Sequence, residues 1–265
     1  MFGAQHLVLS LFTASLIILP LLLTTGDLIF LIFPFAVAIS SLIPDVDASD
    51  ASIFHNKIRG TSRYFFGNRK FAIIINRWIG PLQPFFAKIA EWLVYKPYIF
   101  VLQHKGYNIK AEHRGIFHTL PAAALSAIIF SILLSILLFF VNSFNMLFVI
   151  LFLLGFFLGF CLHLIEDSCT ISGIDLLFPF KNYYFFRGII ETNPEKDQSK
   201  PNKFVTFLLI LNITVIVMKI LSILNVFTFP PIWLLQILVI IVVIVSWYLF
   251  IKWCGVKRVL EVVNS

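Results

Sequence analysis

HRGIFHTLPAAALSAIIFSILLSILLFFVNSFNMLFVILFLLGFFLGFCLHLIED, residues 113–167, decides the fold. It holds two charge-free apolar runs, 119–141 and 144–165. Each is long enough to cross a hydrocarbon core of about 30 Å as a helix. Asn142-Ser143 divides them as a turn would. His113, Arg114 and His118 stand before the first run, and His163, Glu166 and Asp167 close the second. Two successive spans return the chain to the face it left. Both polar ends of this stretch therefore belong at one membrane face.

Working outward, four more runs are apolar and almost free of charge: 7–25, 27–44, 204–224 and 229–251. Gly26-Asp27 makes the first pair a tight hairpin. Asn225 to Thr228, followed by Pro230-Pro231, separates the last pair. Apolar residues are 60% of the 265 and charged residues 12%, with a mean hydropathy of +0.96. A water-soluble domain is nearer half apolar and a quarter charged. The expected fold is all-α, a polytopic transmembrane helical bundle of about six spans with interfacial helices. Residues 1–203 read as the membrane-embedded core carrying the loop 45–118, and 204–265 as a C-terminal pair of spans. The first run is not expected to be a cleaved signal peptide, because Met1 to His6 holds no Lys or Arg and no small-x-small site follows. Cys161, Cys169 and Cys254 fit no disulfide framework and no CxxC pair, and read as small buried hydrophobes.

Charge then orients the bundle. Segment 45–118 holds 11 Lys or Arg, segment 168–203 five and the C-terminal tail three, while the turns on the other face hold none. Lys219, inside span five, is expected to snorkel or to face other helices. The positive-inside rule makes the basic face cytoplasmic, with both termini on it, in an inner or plasma membrane. The net charge of +7 is thus a topology signal and an attraction to anionic lipid headgroups, not a sign of nucleic-acid binding. Residues 71–103 are apolar and aromatic but interrupted by Arg77, Pro81, Pro84, Lys88, Glu91 and Lys96. They are expected to lie in the interface. A seventh span there would flip everything after it and separate the halves of the cluster described next.

Ionisable residues gather where the apolar runs start or stop on that face. His6 opens span one, Pro44-Asp45-Val46-Asp47 closes span two, His113 to His118 opens span three, and His163 to Asp167 closes span four. Ionisable groups so near the hydrocarbon are costly and mark functional sites. His163 and Asp167 are four apart and share a helix face, as are Arg114 and His118. Imidazoles with carboxylates suit zinc, manganese or iron. Arg114 would suit an anionic substrate, since its planar fork matches phosphate or carboxylate. Each group has a plainer reading as a turn, cap, anchor or hydrogen-bonded pair, but independent caps need not all fall on one face. His55 and His104 lie in basic loop surroundings and are set aside. Asp175 reads either as a support to the cluster or as a turn residue after Gly173.

In this order and placement the motifs resemble the YdjM-type, LexA-regulated family of membrane-bound metal-dependent hydrolases. The likeness rests on His6 before the first span, PDxD at Pro44 to Asp47, the HRGxxH motif at His113 to His118 followed by Thr119, and the HxxxD helix from His163 to Asp167. Thr170, Gly173, Pro179 and Phe180 continue it, so that it covers roughly residues 1–180. Thr119 keeps the hydroxyl of the usual Ser, whereas Ala48 stands where the family often has a His. The family is distantly similar to zinc-dependent phospholipase C and P1-type nucleases, which implies phosphoester hydrolysis.

The resemblance and the residues together lead us to expect a metal-dependent hydrolase of phosphoesters, lipid-linked ones included, at the cytoplasmic membrane face. Membrane lipid is the expected partner, and a divalent ion, zinc first and manganese or iron next, the expected cofactor. Asp45, His113, His163 and Asp167 are expected to bind the metal, with His6 or His118 completing the set. With His6 in that place, Asp47, Arg114 and His118 are the catalytic group. A transporter using the same His/Asp cluster is the alternative, and a scaffold with a purely structural metal a third.

Overall fold

The computed structural model describes residues 3–47, 52–54, 77, 80–107, 115–180, 185–191, 199–226 and 228–259. Six helices among them are long and apolar enough to span a membrane: Ala4–Thr25, Leu28–Asp47, Leu120–Phe140, Met146–Ser168, Ser199–Ile223 and Ile232–Trp253. They are called spans one to six. The all-α bundle expected from the apolar runs is therefore the observed fold. The turns fall where the sequence breaks. Asn142 and Asn225 sit at positive φ after spans three and five. In both cases the next amide reaches back five residues, Ser143 N to Leu138 O and Val226 N to Leu221 O, closing the helix end. Thr119 and Asn145 cap the starts of spans three and four through their side chains.

Span two is the inner element and is not one continuous α-helix. A 3₁₀ turn, Leu28–Leu31, leads into the α-helix Ile32–Ser40, and a second 3₁₀ turn, Ile43–Asp47, ends it. The helix lies tightly along span four because both present small residues. A Cβ on Gly155 would stand 2.6 Å from Phe33 O, and one on Gly159 would fall on Ser40 Oγ and 2.5 Å from Val37 O. Ala36 and Ser40 face these glycines. In a bilayer, where apolar contact alone drives little association, such small-xxx-small seams let backbones approach and gain packing. This seam fixes the depth at which the end of span two meets the end of span four.

Spans five and six hold span one through polar threads. Trp247 Nε1 donates to Thr13 Oγ1 (3.1 Å), Asn212 Nδ2 to Phe12 O (3.0 Å) and Gln236 Nε2 to Ile17 O (2.9 Å). Their outer faces are lined with exposed Ile210, Ile213, Ile220, Ile237 and Ile244. So large an apolar surface is what lipid solvates and water does not. Lys219 places its ammonium 5.1 Å from the centre of the Phe229 ring, toward the end of span five that faces the Asn225 turn.

The described part of the interrupted stretch forms a shorter apolar helix. Residues 83–104 run as Gln83–Ala90, a π turn Glu91–Tyr95, and Lys96–His104. Ala87, Ala90 and Val94 are buried while Phe85, Trp92, Leu93, Phe100 and Val101 are exposed. Lys96 pairs with Glu91 (2.9 Å) and covers Trp92. Charges set among exposed aromatics are the marks of a helix lying at the interface. The chain on either side agrees, because Asp47 before it and His118 after it touch (3.1 Å). The segment thus leaves and re-enters the bundle at one level.

A small antiparallel sheet joins β1 (Ile174–Asp175), β2 (Phe185–Arg187) and β3 (Lys257–Val259) in that order. It ties the segment after span four to the segment after span six, so these two also lie at one face. Cys169 and Cys254 are buried beside it, Cys161 is half-buried, and all three are free.

Candidate metal centre

The site is assembled from four helix ends. His163 and Asp167 lie one turn apart near the end of span four, with Nε2 3.3 Å from Asp167 Oδ2. The 3₁₀ turn that ends span two brings Asp45 Oδ1 to 3.6 Å from His163 Nε2 and 3.7 Å from His118 Nε2. His118, just before the Thr119 cap of span three, has Nε2 3.4 Å from Asp167 Oδ2. His6, in the first turn of span one, has Nε2 3.6 Å from Asp167 Oδ1, and its ring stacks on His163 at 4.0 Å.

The three Nε2 atoms face this common centre because each ring is held by its other nitrogen. His6 Nδ1 is 2.6 Å from Glu166 Oε2, His118 Nδ1 is 3.1 Å from Asp47 Oδ2, and His163 Nδ1 is 2.7 Å from Ser41 O. A carbonyl can only accept, so Nδ1 of His163 bears a hydrogen and Nε2 is the atom turned to the centre. Nε2 is buried and makes no hydrogen bond among the described residues. Imidazoles oriented by a carboxylate or carbonyl behind them are the usual supports of metal ligands.

Size and charge also fit an ion. Ligand atoms about 2.0–2.2 Å from a tetrahedral centre stand about 3.3–3.6 Å apart. The four imidazole–carboxylate separations, of His118 and His163 from Asp45 and Asp167, are 3.3–3.7 Å. Two overlapping triads, His6-His163-Asp167 and Asp45-His118-His163, each close within 4.8 Å. Four carboxylates, Asp45, Asp47, Glu166 and Asp167, crowd these three rings at depth. Burial alone would press the His118 pKa down, but Asp47, Asp45 and Asp167 outweigh it and hold the ring up at about 10. Buried negative charge of this kind is costly unless positive charge offsets it. The cluster can hold a divalent metal ion.

Of the residues singled out by sequence, His6, Asp45, Asp47, His118, His163 and Asp167 come together here. His118 stands level with His163 in facing the centre, and Asp47 lies behind it. His113, Arg114 and His55 lie outside the described residues. His104 stacks on Phe100 at the end of the interfacial helix. Asp175 is in β1, where its carboxylate accepts from Leu177 N. Glu166 and the Ser41 carbonyl were not anticipated. Glu166 was legible in part, being three residues after His163 and beside Asp167.

A family model described as YdjM inner membrane protein matches residues 1–256. The chain belongs to the YdjM inner membrane protein family. The match takes in spans five and six, beyond the 1–180 stretch that carries the motifs. The family's description as inner membrane agrees with six membrane-length helices. Comparison with curated proteins and with solved structures returned no match.

Proposed function

We propose that this YdjM family member is a metal-dependent hydrolase acting on a phosphoester, with a lipid-linked one fitting best, at the cytoplasmic face of the membrane. The observation that carries this reading is the ring of three Nε2 atoms and two carboxylates, each ring backed by its own acceptor. A divalent ion held there would supply an acidic water near neutrality and polarise a phosphoryl oxygen. His163, His118, Asp45 and Asp167 would hold it, with His6 beside them. Asp47 and Glu166 fix the tautomers and orientations of His118 and His6. Arg114, four residues before His118, is placed by sequence to bind the phosphate and offset its charge.

Access supports a substrate that arrives at the interface. Side chains of His118, His163, Asp167 and Glu166 are 0–1% exposed, whereas that of Asp45 is 16% exposed, so the centre opens at the end of span two. Beside that end lies an apolar cleft lined by Ile39, Leu42, Ile53, Leu82, Gln83 and Phe86, between span two and the interfacial helix. The buried Gln83 amide within it has no hydrogen-bond partner among the described residues. A transporter would place the cluster near the bilayer midplane, and here it sits at the helix ends.

The test is a screen of phosphoesters, phospholipids among them, with the purified metal-loaded protein. We expect turnover in the wild type and a loss of at least about a thousandfold in Asp45→Ala and His163→Ala, with both variants inserting and running monodisperse. Equal turnover in either variant would refute the assignment.

A further inference from the structure

We propose that the ends of spans five and six form a binding site for an anionic phospholipid, separate from the metal centre. A groove of about 320 Å³ lies between the start of span five and the end of span six, on the outer side of the bundle. Its floor is a fixed aromatic stack. Phe204 and Phe250 lie parallel at 4.3 Å, Phe207 stacks on Phe204 at 6.2 Å, and Trp247 meets Phe204 edge-on at 5.1 Å. Phe207, Leu249 and Trp253 line it and remain 42%, 59% and 44% exposed. Walls of this kind, on the lipid-facing side of two spans, suit an acyl chain.

The mouth of the groove is basic. Lys203 lines it. Lys200 is pinned there by its bond to Trp253 O (2.8 Å). The β2–β3 pairing brings Lys257 and Arg258 to the same face. In residues 185–191, 199–203 and 252–259, which build this end, Glu191 is the one acid among the described residues. Lysines clustered where spans emerge attract anionic headgroups, and the ammonium is a point-charge binder of phosphate. A free anion would satisfy the lysines but leave the apolar groove unfilled, whereas a phospholipid satisfies both. The site uses spans that the metal centre does not touch, and stands whether or not the protein is a hydrolase.

The experiment is native mass spectrometry of the full-length protein in detergent with equimolar phosphatidylglycerol and phosphatidylcholine of the same chains. We expect the phosphatidylglycerol adduct to dominate and to fade as salt rises. Lys203→Gln, which breaks no bond among the described residues, should lower the preference about fivefold, and Lys203→Glu should lower it further. Lys219→Gln, at the other end of span five, should leave it unchanged. Equal binding of the two lipids by the wild type would overturn the site, as would an unaltered preference in both Lys203 variants. Displacement of the lipid by millimolar inorganic phosphate would overturn the lipid as its occupant.

Discussion

His163 uses both ring nitrogens, one on the Ser41 carbonyl and one toward the centre, and Glu166 and Asp47 do for His6 and His118 what that carbonyl does for His163. Removing such a support costs metal affinity without removing a ligand. We expect Glu166→Gln and Asp47→Asn to weaken binding about 10- to 100-fold while full occupancy is still reached at high metal. Titration against a chromophoric chelator measures this, and wild-type affinity in both would contradict it. Proton competition gives a second outcome. In the metal-free protein the protonated His118 contributes stability that is fully present below the ordinary imidazole value near 6.5 and is lost as pH rises through about 10. Metal must displace that proton, so affinity runs the other way and should rise roughly tenfold per pH unit from this ring alone between pH 6 and 8. An affinity that falls with pH would contradict the site. The residues facing the centre were legible because histidine and aspartate at a span's edge have few cheap structural uses. The partners behind them were not, since helix rotation decides which neighbour of Asp167 meets His6.

At the scale of elements, the seam between spans two and four sets the geometry of the centre, because Asp45 and His163 ride on its two sides. Gly159→Ala forces a methyl against the Val37 carbonyl. We expect a loss of about 1–3 kcal/mol and a weaker metal site, seen as a lower Tm in detergent and a raised metal Kd. Leu154→Ala, on the lipid-facing side of the same helix, should change stability by no more than about 0.5 kcal/mol. Equal effects of the two substitutions would argue against the seam. The spans and their turns were readable from apolar length and from Asn142 and Asn225. Residues 80–103, the described part of the interrupted stretch, were readable as non-spanning from Lys88, Glu91 and Lys96. The seam was present as GFFLG, whose spacing marks close packing only once a partner with small residues is found. The sheet could not be read, for strands of two and three residues carry no period and β2 meets β3 across some seventy residues of chain.

For the whole molecule, two long-range meetings fix the parity of the bundle: Asp47 with His118, and β2 with β3. The positive-inside rule, applied to the basic residues, predicts that the common face is cytoplasmic. Reporter fusions should therefore give a cytoplasmic signal at the C-terminus and the opposite signal at the Asn142 turn, and the reverse pattern would invert the orientation. The central claim is that four separate helix ends build one metal centre. Metal content of the detergent-purified protein, wild type beside His163→Ala and Asp45→Ala, tests it directly. We expect about one transition-metal ion per chain in the wild type and its loss in both variants, although span four supplies one residue and span two the other. A well-folded wild type that holds no metal even after zinc or manganese is supplied would contradict it.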